Sequence, residues 1–247
     1  MEYNLAILLL ACLTFLLAGL VKGVTGMGLP TVAMGILGSL LSPSTAAALL
    51  LLPSLITNIF QLGGGGHAIA LLRRLWPMQV AIVISTLFSS QWLATGHSTG
   101  TQLALGVALV VYALWTLAGR AFSVSPRAER NLALPVGMVT GLLTGATGVF
   151  VMPAVPWLQA LRLEKDQLVQ ALGISFTSST LALAAGLWWH GALHSTSLGV
   201  SGLAVIPALI GLFAGQRLRR VISAPVFKRY FLFCLLGLGL EMTIRAL

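Results

Sequence analysis

The amino-acid sequence predicts an all-α membrane protein that crosses the bilayer several times. Of its 247 residues, 57% are apolar and only 8% are charged, whereas a soluble domain typically carries about a quarter charged residues. The mean hydropathy is +0.98. The basic residues that give the net charge of +9 lie between apolar blocks, as charges that orient a membrane protein do. This composition excludes a disordered chain, a nucleic-acid-binding domain and an ordinary cytosolic enzyme.

The spacing of the charges predicts where the helices lie. Residues 3–21, 23–72, 75–119, 131–161 and 167–216 contain no Asp, Glu, Lys or Arg. A crossing helix needs about 20 apolar residues, so the longer stretches must fold back. Clusters of Gly, Ser, Pro and Thr place these turns at 42–44, 63–67, 96–100 and 191–197. The predicted spans are 4–21, 45–62, 75–95, 101–119, 131–147, 168–189, 198–216 and 226–244, and the apolar pieces 29–41 and 150–161 are too short to cross.

The two halves of the chain resemble each other, which indicates an internal duplication. At a shift of 122 residues, Gly19, Gly23, Thr25 and Gly26 align with Gly141, Gly145, Thr147 and Gly148. At a shift of 123, Pro30 aligns with Pro153 and Thr57 with Thr180, and at 125 the segment 87–91 aligns with 212–216. We therefore divide a single membrane domain, residues 1–247, into repeat one (1–120) and repeat two (131–247).

Charge then decides between two topologies. Eight simple crossings would divide the arginines between the two faces and leave no orientation signal. If 131–161 instead enters and returns on one face as a broken hairpin, 12 of the 14 basic residues share the cytoplasmic face, as the positive-inside rule requires. These are Arg73, Arg74, Arg120, Arg127, Arg130, Arg162, Lys165, Arg217, Arg219, Arg220, Lys228 and Arg229. This topology inverts the repeats, a recurring plan of secondary transporters, and places both termini outside.

Glycine and proline interrupt the same part of each repeat, residues 19–30 and residues 141–153. Each interior glycine costs about 1 kcal/mol relative to alanine, so we expect neither segment to form a continuous helix. In hydrocarbon, broken backbone is tolerated only where protein or a watery cavity satisfies it. Both breaks should face the interior, where the N-termini of the half-helices that follow would attract an anion.

Lys22 lies inside the first of these breaks. It is the only charged residue between Tyr3 and Leu72, and a charge within a span is by default a functional-site hypothesis. The alternative is a lysine that snorkels to the interface at the end of the first span. The aligned residue of repeat two is Thr144, so an anion site would hold one lysine.

The candidate binding residues come from the two breaks and from polar helix faces. Ser54, Thr57, Asn58 and Gln61 share one face of a helix by their spacing. The predicted substrate-binding set is Lys22, Gly23, Thr25, Gly26, Gly28, Asn58, Gln61, Gly145, Thr147, Gly148 and Thr177. For the amides and hydroxyls, hydrogen bonding between packed helices is the alternative. His67 and His190 would relay protons or be ordinary interfacial histidines, and two histidines without carboxylate neighbours make no metal site.

The glycine-broken first helix from Ala18 to Gly28, its echo at Gly141 to Gly148, and the polar helix through Ser54 and Asn58 resemble the sulfite exporter TauE/SafE family of bacterial permeases. The resemblance covers nearly the whole chain. It implies a multi-pass protein of the bacterial cytoplasmic membrane that moves sulfite, sulfonates or related sulfur-containing anions. The family usually carries further glycines after the break, where repeat two has Val149 and Phe150.

The sequence therefore predicts a secondary transporter of a small anion, with a coupling proton or ion as a further partner. A passive anion channel that uses the same site is the alternative. The chain has no Gly-x-x-x-x-Gly-Lys-Ser/Thr loop for ATP. It also lacks a Gly-x-Ser-x-Gly elbow, a His-Glu-x-x-His helix and a carboxylate pair within the spans. We therefore expect no enzymatic activity, cofactor or metal.

Overall fold

A computed structural model describes residues 5–63, 66–95, 98–119 and 123–247. These residues form ten α-helices and no strand. The helices are α1 (Leu5–Thr25), α2 (Leu29–Leu40), α3 (Pro43–Leu62), α4 (Ala68–Ala94), α5 (Ser98–Leu117), α6 (Pro126–Thr147), α7 (Ala154–Ala160), α8 (Lys165–Trp189), α9 (Ser195–Leu218) and α10 (Ala224–Arg245). Eight correspond to the predicted spans, and α2 and α7 to the two short pieces. Arg120 and parts of the predicted turns at 63–67 and 96–100 lie outside the described residues.

Six of these helices, α1, α3, α4, α5, α8 and α9, are long and apolar enough to cross a membrane. Helices α6 and α10 have 22 residues each but carry more charges near their ends. Many large apolar side chains on the outside of the bundle are exposed, such as Leu13, Ile84 and Ile206. An outer surface of this kind is suited to lipid. The chain is an all-helical, multi-pass membrane protein, as predicted.

Six long helices pack in a row in the order α1, α9, α3, α8, α4, α6. Helices α3 and α8 form its centre: 61% of the apolar window of each is buried, against 39% in α1, α4 and α9. Helix α5 pairs with α10 beside this row, and the short α2 contacts α1, α3, α5 and α10. The centre of the row is therefore where polar groups are best shielded from lipid.

Contacts along the helices give their relative directions. Helix α1 runs parallel to α3, because Lys22 contacts Asn58 and the following turn, at Gly26, contacts Gln61. It also runs parallel to α9, since Gly19 and then Gly23 pack against successive turns of that helix.

Helix α8 runs antiparallel to α3, because Ser54 contacts Thr180 while Gln61 packs against Gly173. Helices α4 and α6 run with α8, as the contacts Gln79 to Ser175 and Gly186 to Ser90 show for α4. Thus α1, α3 and α9 point one way and α4, α6 and α8 the other.

The segment from α6 to α7 enters and returns on one face of the bundle. The backbone N–H of Val124, just before α6, donates a hydrogen bond of 3.1 Å to the carbonyl of Ala160 at the end of α7. The predicted broken hairpin requires the two ends to meet in this way.

The breaks are shorter than the sequence predicts. Helix α1 continues through Gly19 and Gly23 to Thr25, and α6 through Gly141 and Gly145 to Thr147. The expectation that neither 19–30 nor 141–153 forms a continuous helix is confirmed, but the breaks begin only after Thr25 and after Thr147. These glycines let backbones approach closely, since a Cβ atom at Gly19 would collide with the carbonyl of Ala208 on α9. Close packing of this kind offsets the low helix propensity of glycine.

Candidate functional site

The first break lies between α1 and α2 and spans Gly26 to Gly28. Both glycines adopt positive φ angles, +79° and +101°, a region that residues with a Cβ atom rarely adopt. The Thr25 hydroxyl lies 2.8 Å from the Val21 carbonyl oxygen and 2.7 Å from that of Met27, and accepts a hydrogen bond from the Met27 N–H. Helix α2 then begins with a proline in its first turn, as predicted. The break is therefore a defined turn.

Lys22 is buried one turn before this break, with 1% of its surface exposed. Its ammonium group donates a hydrogen bond of 3.0 Å to Thr57 Oγ1 and a second one to Asn58 Oδ1, both on α3. The Phe176 ring of α8 lies 5.9 Å from the ammonium nitrogen, within the range of a cation–π contact. Lys22 therefore points into the bundle, towards α3 and α8.

The partners of Lys22 belong to a polar cluster where α3 crosses α8. Ser54 Oγ and Thr180 Oγ1 are 3.2 Å apart. The Asn58 amide nitrogen lies 3.4 Å from each of these hydroxyl oxygens. Ser54, Thr57, Asn58 and Thr180 are all at least 98% buried, which confirms that the polar residues of α3 share an inward face.

The cluster around Lys22 contains no acid. Among the described residues, the ion pairs are Arg74 with Glu129, at 2.6 Å, and Arg245 with Glu241. Burial of an ammonium without a counter-ion costs several kcal/mol. Hydroxyl and amide oxygens compensate part of this cost, and a bound anion would supply the missing opposite charge.

A cavity of about 540 Å³ reaches Lys22 from one end of the bundle, whereas Thr57 and Asn58, the partners of Lys22, do not line it. It is lined by Lys22, Gly23, Gly26, Phe60, Gln61, Lys165, Val169, Leu212, Gln216, Arg219 and Arg220. Lys22, Gly23 and Gly26 come from the glycine-containing end of α1, while Lys165 begins α8 and Arg219 follows α9. The cavity thus joins the buried lysine to a face that carries three further cations.

Gln61 ties α3 to the first break. Its amide nitrogen donates a hydrogen bond of 2.6 Å to the carbonyl of Gly26. Its amide oxygen is buried and has no hydrogen-bond partner. Gln61 therefore fixes the position of the broken backbone next to the cavity and leaves one acceptor unused.

The predicted site residues of the second break do not line the Lys22 cavity. Gly145 packs against the Thr86 carbonyl on α4, and the Thr147 hydroxyl accepts a hydrogen bond of 3.2 Å from the N–H of Val149. Gly148 has a φ of +72°, and a Cβ atom there would lie 2.9 Å from the sulfur of Met34.

Further candidates of the predicted set also lie outside the cavity lining. Thr177 donates to the carbonyl of Gly173 in its own helix. Phe150 stacks at 5.4 Å on Phe176. The surroundings of the second break are therefore apolar, and a cavity of about 430 Å³ beside it is lined by apolar residues such as Val149 and Met152. Thr25 and Gly28 shape the first break without lining the cavity.

Comparison with protein families agrees with the multi-pass membrane fold described above. A family model described as sulfite exporter TauE/SafE matches residues 11–242. The chain belongs to the TauE/SafE family. No curated protein and no solved structure matches it. The family consists of membrane transporters of sulfite or related anions, so this chain is a membrane transporter of that class and not an enzyme.

The two histidines of the predicted proton relay, His67 and His190, lie near opposite ends of α8 in this TauE/SafE protein. The backbone N–H of His67 donates to the Gln170 side chain near the start of α8, whereas His190 caps its C-terminus. A helix of 25 residues is about 37 Å long. Both side chains are exposed and neither lines the cavity, so a proton relay through them stays a prediction.

Sequence reasoning missed several lining residues of the TauE/SafE cavity. Lys165, Arg219 and Arg220 were used only to orient the protein, and Gln216 was not considered as a site residue. Phe176, which contacts Lys22 without lining the cavity, was not considered either. Their proximity to Lys22 depends on the register of α9 against α1 and of α8 against α3, which only the packed structure defines. The one available signal was the glycine spacing of α9, Gly211 and Gly215, which matches that of α1.

Proposed function

We propose that the chain is a secondary transporter that binds sulfite, a sulfonate or a related small anion at Lys22. One observation carries the proposal: a buried ammonium group with only neutral partners lies at the inner end of a cavity. The binding set comprises Lys22, Gly23, Gly26, Asn58 and Gln61, with Thr25 and Gly28 shaping the turn. Gly145, Thr147, Gly148 and Thr177 support the fold of the second break in this proposal.

The donors around Lys22 suit an oxyanion. The ammonium group has three N–H donors, and two are directed at Thr57 and Asn58. The third is free for an anion oxygen, and a charge-assisted hydrogen bond of this kind is about twice as strong as a neutral one. Phe60, Val169 and Leu212 give the cavity an apolar wall, against which the organic part of a sulfonate would pack.

The proposal includes two inverted repeats, 1–120 and 131–247. In the sequence alignment of the repeats, α1 corresponds to α6, α9 to α4 and α3 to α8. If every helix of the row is replaced by its counterpart, the same six helices follow in the reverse order.

Two further observations support this inversion. Counterpart helices run in opposite directions, as their contacts indicate. Gly19 packs on the carbonyl of Ala208 in α9, and its counterpart Gly141 packs on the carbonyl of Ile82 in α4. These equivalent contacts relate α4 to α9 at a shift of 126 residues, one more than the shift of 125 in the sequence alignment.

The cavity opens to the face that carries Lys165, Arg219 and Arg220. By the positive-inside rule this face is cytoplasmic, which places both termini outside. We place the protein in the bacterial cytoplasmic membrane, with a proton or another ion as the coupling partner.

Transport by purified protein in liposomes tests the proposed function. Liposomes loaded with sulfite should release it at a rate that saturates, and an outward sulfite gradient should drive counter-movement of labelled sulfite. The Lys22→Met variant should lose both. Flux that rises linearly with concentration and shows no counter-movement would support the passive channel that uses the same site.

A further inference from the structure

The mouth of the cavity carries three cations that the binding of an anion at Lys22 does not require. Lys165 belongs to the first turn of α8, and Arg219 and Arg220 follow α9. None of the three takes part in an ion pair of the described residues. No Asp or Glu lines the described cavity: Glu164, next to Lys165, caps the N-terminus of α8, and the exposed Asp166 also lies outside the lining.

The mouth lies close to Lys22 along α9. Gly23, the neighbour of Lys22, packs against Leu212 and Gly215, and Arg219 lies four residues after Gly215. At 1.5 Å per residue, the mouth is about 6 Å from the level of Lys22 along the helix axis. This distance is shorter than the Debye length of about 8 Å at physiological ionic strength. An anion at the mouth would therefore interact with both levels of charge.

We propose that Lys165, Arg219 and Arg220 form an outer subsite that captures a small sulfur oxyanion before it moves to Lys22. The inference rests on the proposed function and adds a second binding step to it. Clefts lined by charge of one sign and by low-dielectric walls raise local ligand concentration and association rates. Gln216, on the wall between the two levels, supplies amide donors along the path.

The subsite is one-sided. At the shift of 126 that relates α9 to α4, Arg219 and Arg220 correspond to Leu93 and Ala94, and neither residue carries a charge. The opposite face therefore lacks the equivalent cations, and capture is fast from the arginine-bearing face only.

Association kinetics of sulfite with the detergent-purified protein test the outer subsite without regard to membrane orientation. In the double variant Arg219→Gln/Arg220→Gln, the association rate should fall about tenfold at low ionic strength, the lower end of electrostatic steering. The difference should largely vanish in about 0.5 M salt, where such charges are screened. The dissociation rate should change little, because Lys22 still holds the anion.

Arg217→Gln is the matched control. Arg217 is exposed in the same segment but does not line the cavity, so its loss should leave the association rate unchanged. Lys165→Gln, on another helix, should slow association in the same salt-dependent way. It therefore tests the outer subsite independently if the double variant misfolds.

An unchanged rate in the double variant, or equal slowing by Arg217→Gln, overturns the outer subsite. If Lys22→Met then still weakens sulfite binding by about one to two powers of ten, the proposed function stands without the outer subsite. Wild-type sulfite affinity in Lys22→Met overturns the proposed site itself.

Discussion

The ammonium group of Lys22 on α1 donates a hydrogen bond to the side-chain oxygen of Asn58 on α3, in a cluster without an acid. A neutral amide at this position holds the lysine in place and leaves its charge uncompensated. An aspartate of the same shape would compensate it. In the proposed site, Asn rather than Asp at position 58 leaves the charge of Lys22 for an external anion.

Asn58→Asp should abolish anion binding without loss of stability. The new carboxylate would pair with Lys22 in place of the substrate, and an opposite charge at this distance favours the ammonium form. Anion affinity should fall at least tenfold, while the thermal midpoint stays equal or rises. Titration calorimetry and thermal unfolding of the purified variant measure both. Retained affinity would mean that the anion does not bind next to Asn58.

Lys22→Met should preserve insertion, because it removes a charge from a span, and should weaken anion binding. The expected loss is about 1.5–3 kcal/mol, the scale of a hydrogen bond to a charged group, or about one to two powers of ten in Kd. Lys22→Arg should recover only part of it, since a planar fork does not replace a compact ammonium. Binding titrations on the two variants decide the point, and full activity of the methionine variant would contradict it.

Gly26→Leu should block the cavity. A Cβ atom at Gly26 meets no other atom within 4 Å, but φ is +79°, so the substitution combines backbone strain of about 1–3 kcal/mol with a side chain in the ligand space. Gly191→Leu is the matched control, because Gly191 has a φ of +69° and equally open surroundings outside the cavity lining. Both variants should lose similar stability in thermal unfolding, but only Gly26→Leu should lose transport.

Gly19→Ala should separate α1 from α9 and destabilise the protein strongly, because the new methyl group collides with a backbone carbonyl that cannot move aside. Gly199→Ala, in α9 with open space around it, should instead be neutral or stabilise by up to about 1 kcal/mol through helix propensity. Thermal unfolding in detergent compares the two. Equal stability would show that the α1–α9 contact is not tight.

Cysteine labelling tests the sidedness. Single cysteines at the exposed positions 42 and 194 should react with an impermeant reagent added outside, and cysteines at 74, 127 and 219 should not. Reaction of 74 and 219 from opposite sides would contradict the inverted topology, which requires both on one face.

Composition and charge spacing predicted the helices well. Predicted spans such as 45–62 and 198–216 differ from α3 (Pro43–Leu62) and α9 (Ser195–Leu218) by only a few residues, because hydrocarbon thickness and turn residues limit where a helix can end. The glycine segments were harder. Whether Gly19 breaks a helix or packs one depends on its neighbour, and that neighbour, Ala208, is 189 residues away.

The site could be predicted only in part. The spacing of Thr57, Asn58 and Gln61 already indicated a common face, and Lys22 was conspicuous as a lone charge in an apolar stretch. The sequence symmetry nevertheless suggested that Gly148 would share the site, whereas Met34 packs there instead. A repeat aligns residues, but it does not predict that the cavity beside the first break carries cations whereas the cavity beside the second is apolar.

The absence of an acid beside Lys22 also bears on how voltage acts on the transport cycle. With Lys22 protonated, the empty site carries one positive charge and a bound monoanion makes it neutral, whereas a bound dianion reverses its sign. Moving one elementary charge through the whole membrane field is worth about 2.3 kcal/mol per 100 mV. Exchange of a monoanion for itself would then involve only the neutral loaded form and be insensitive to an imposed potential. Net movement, which requires the charged empty form to return, would respond to it.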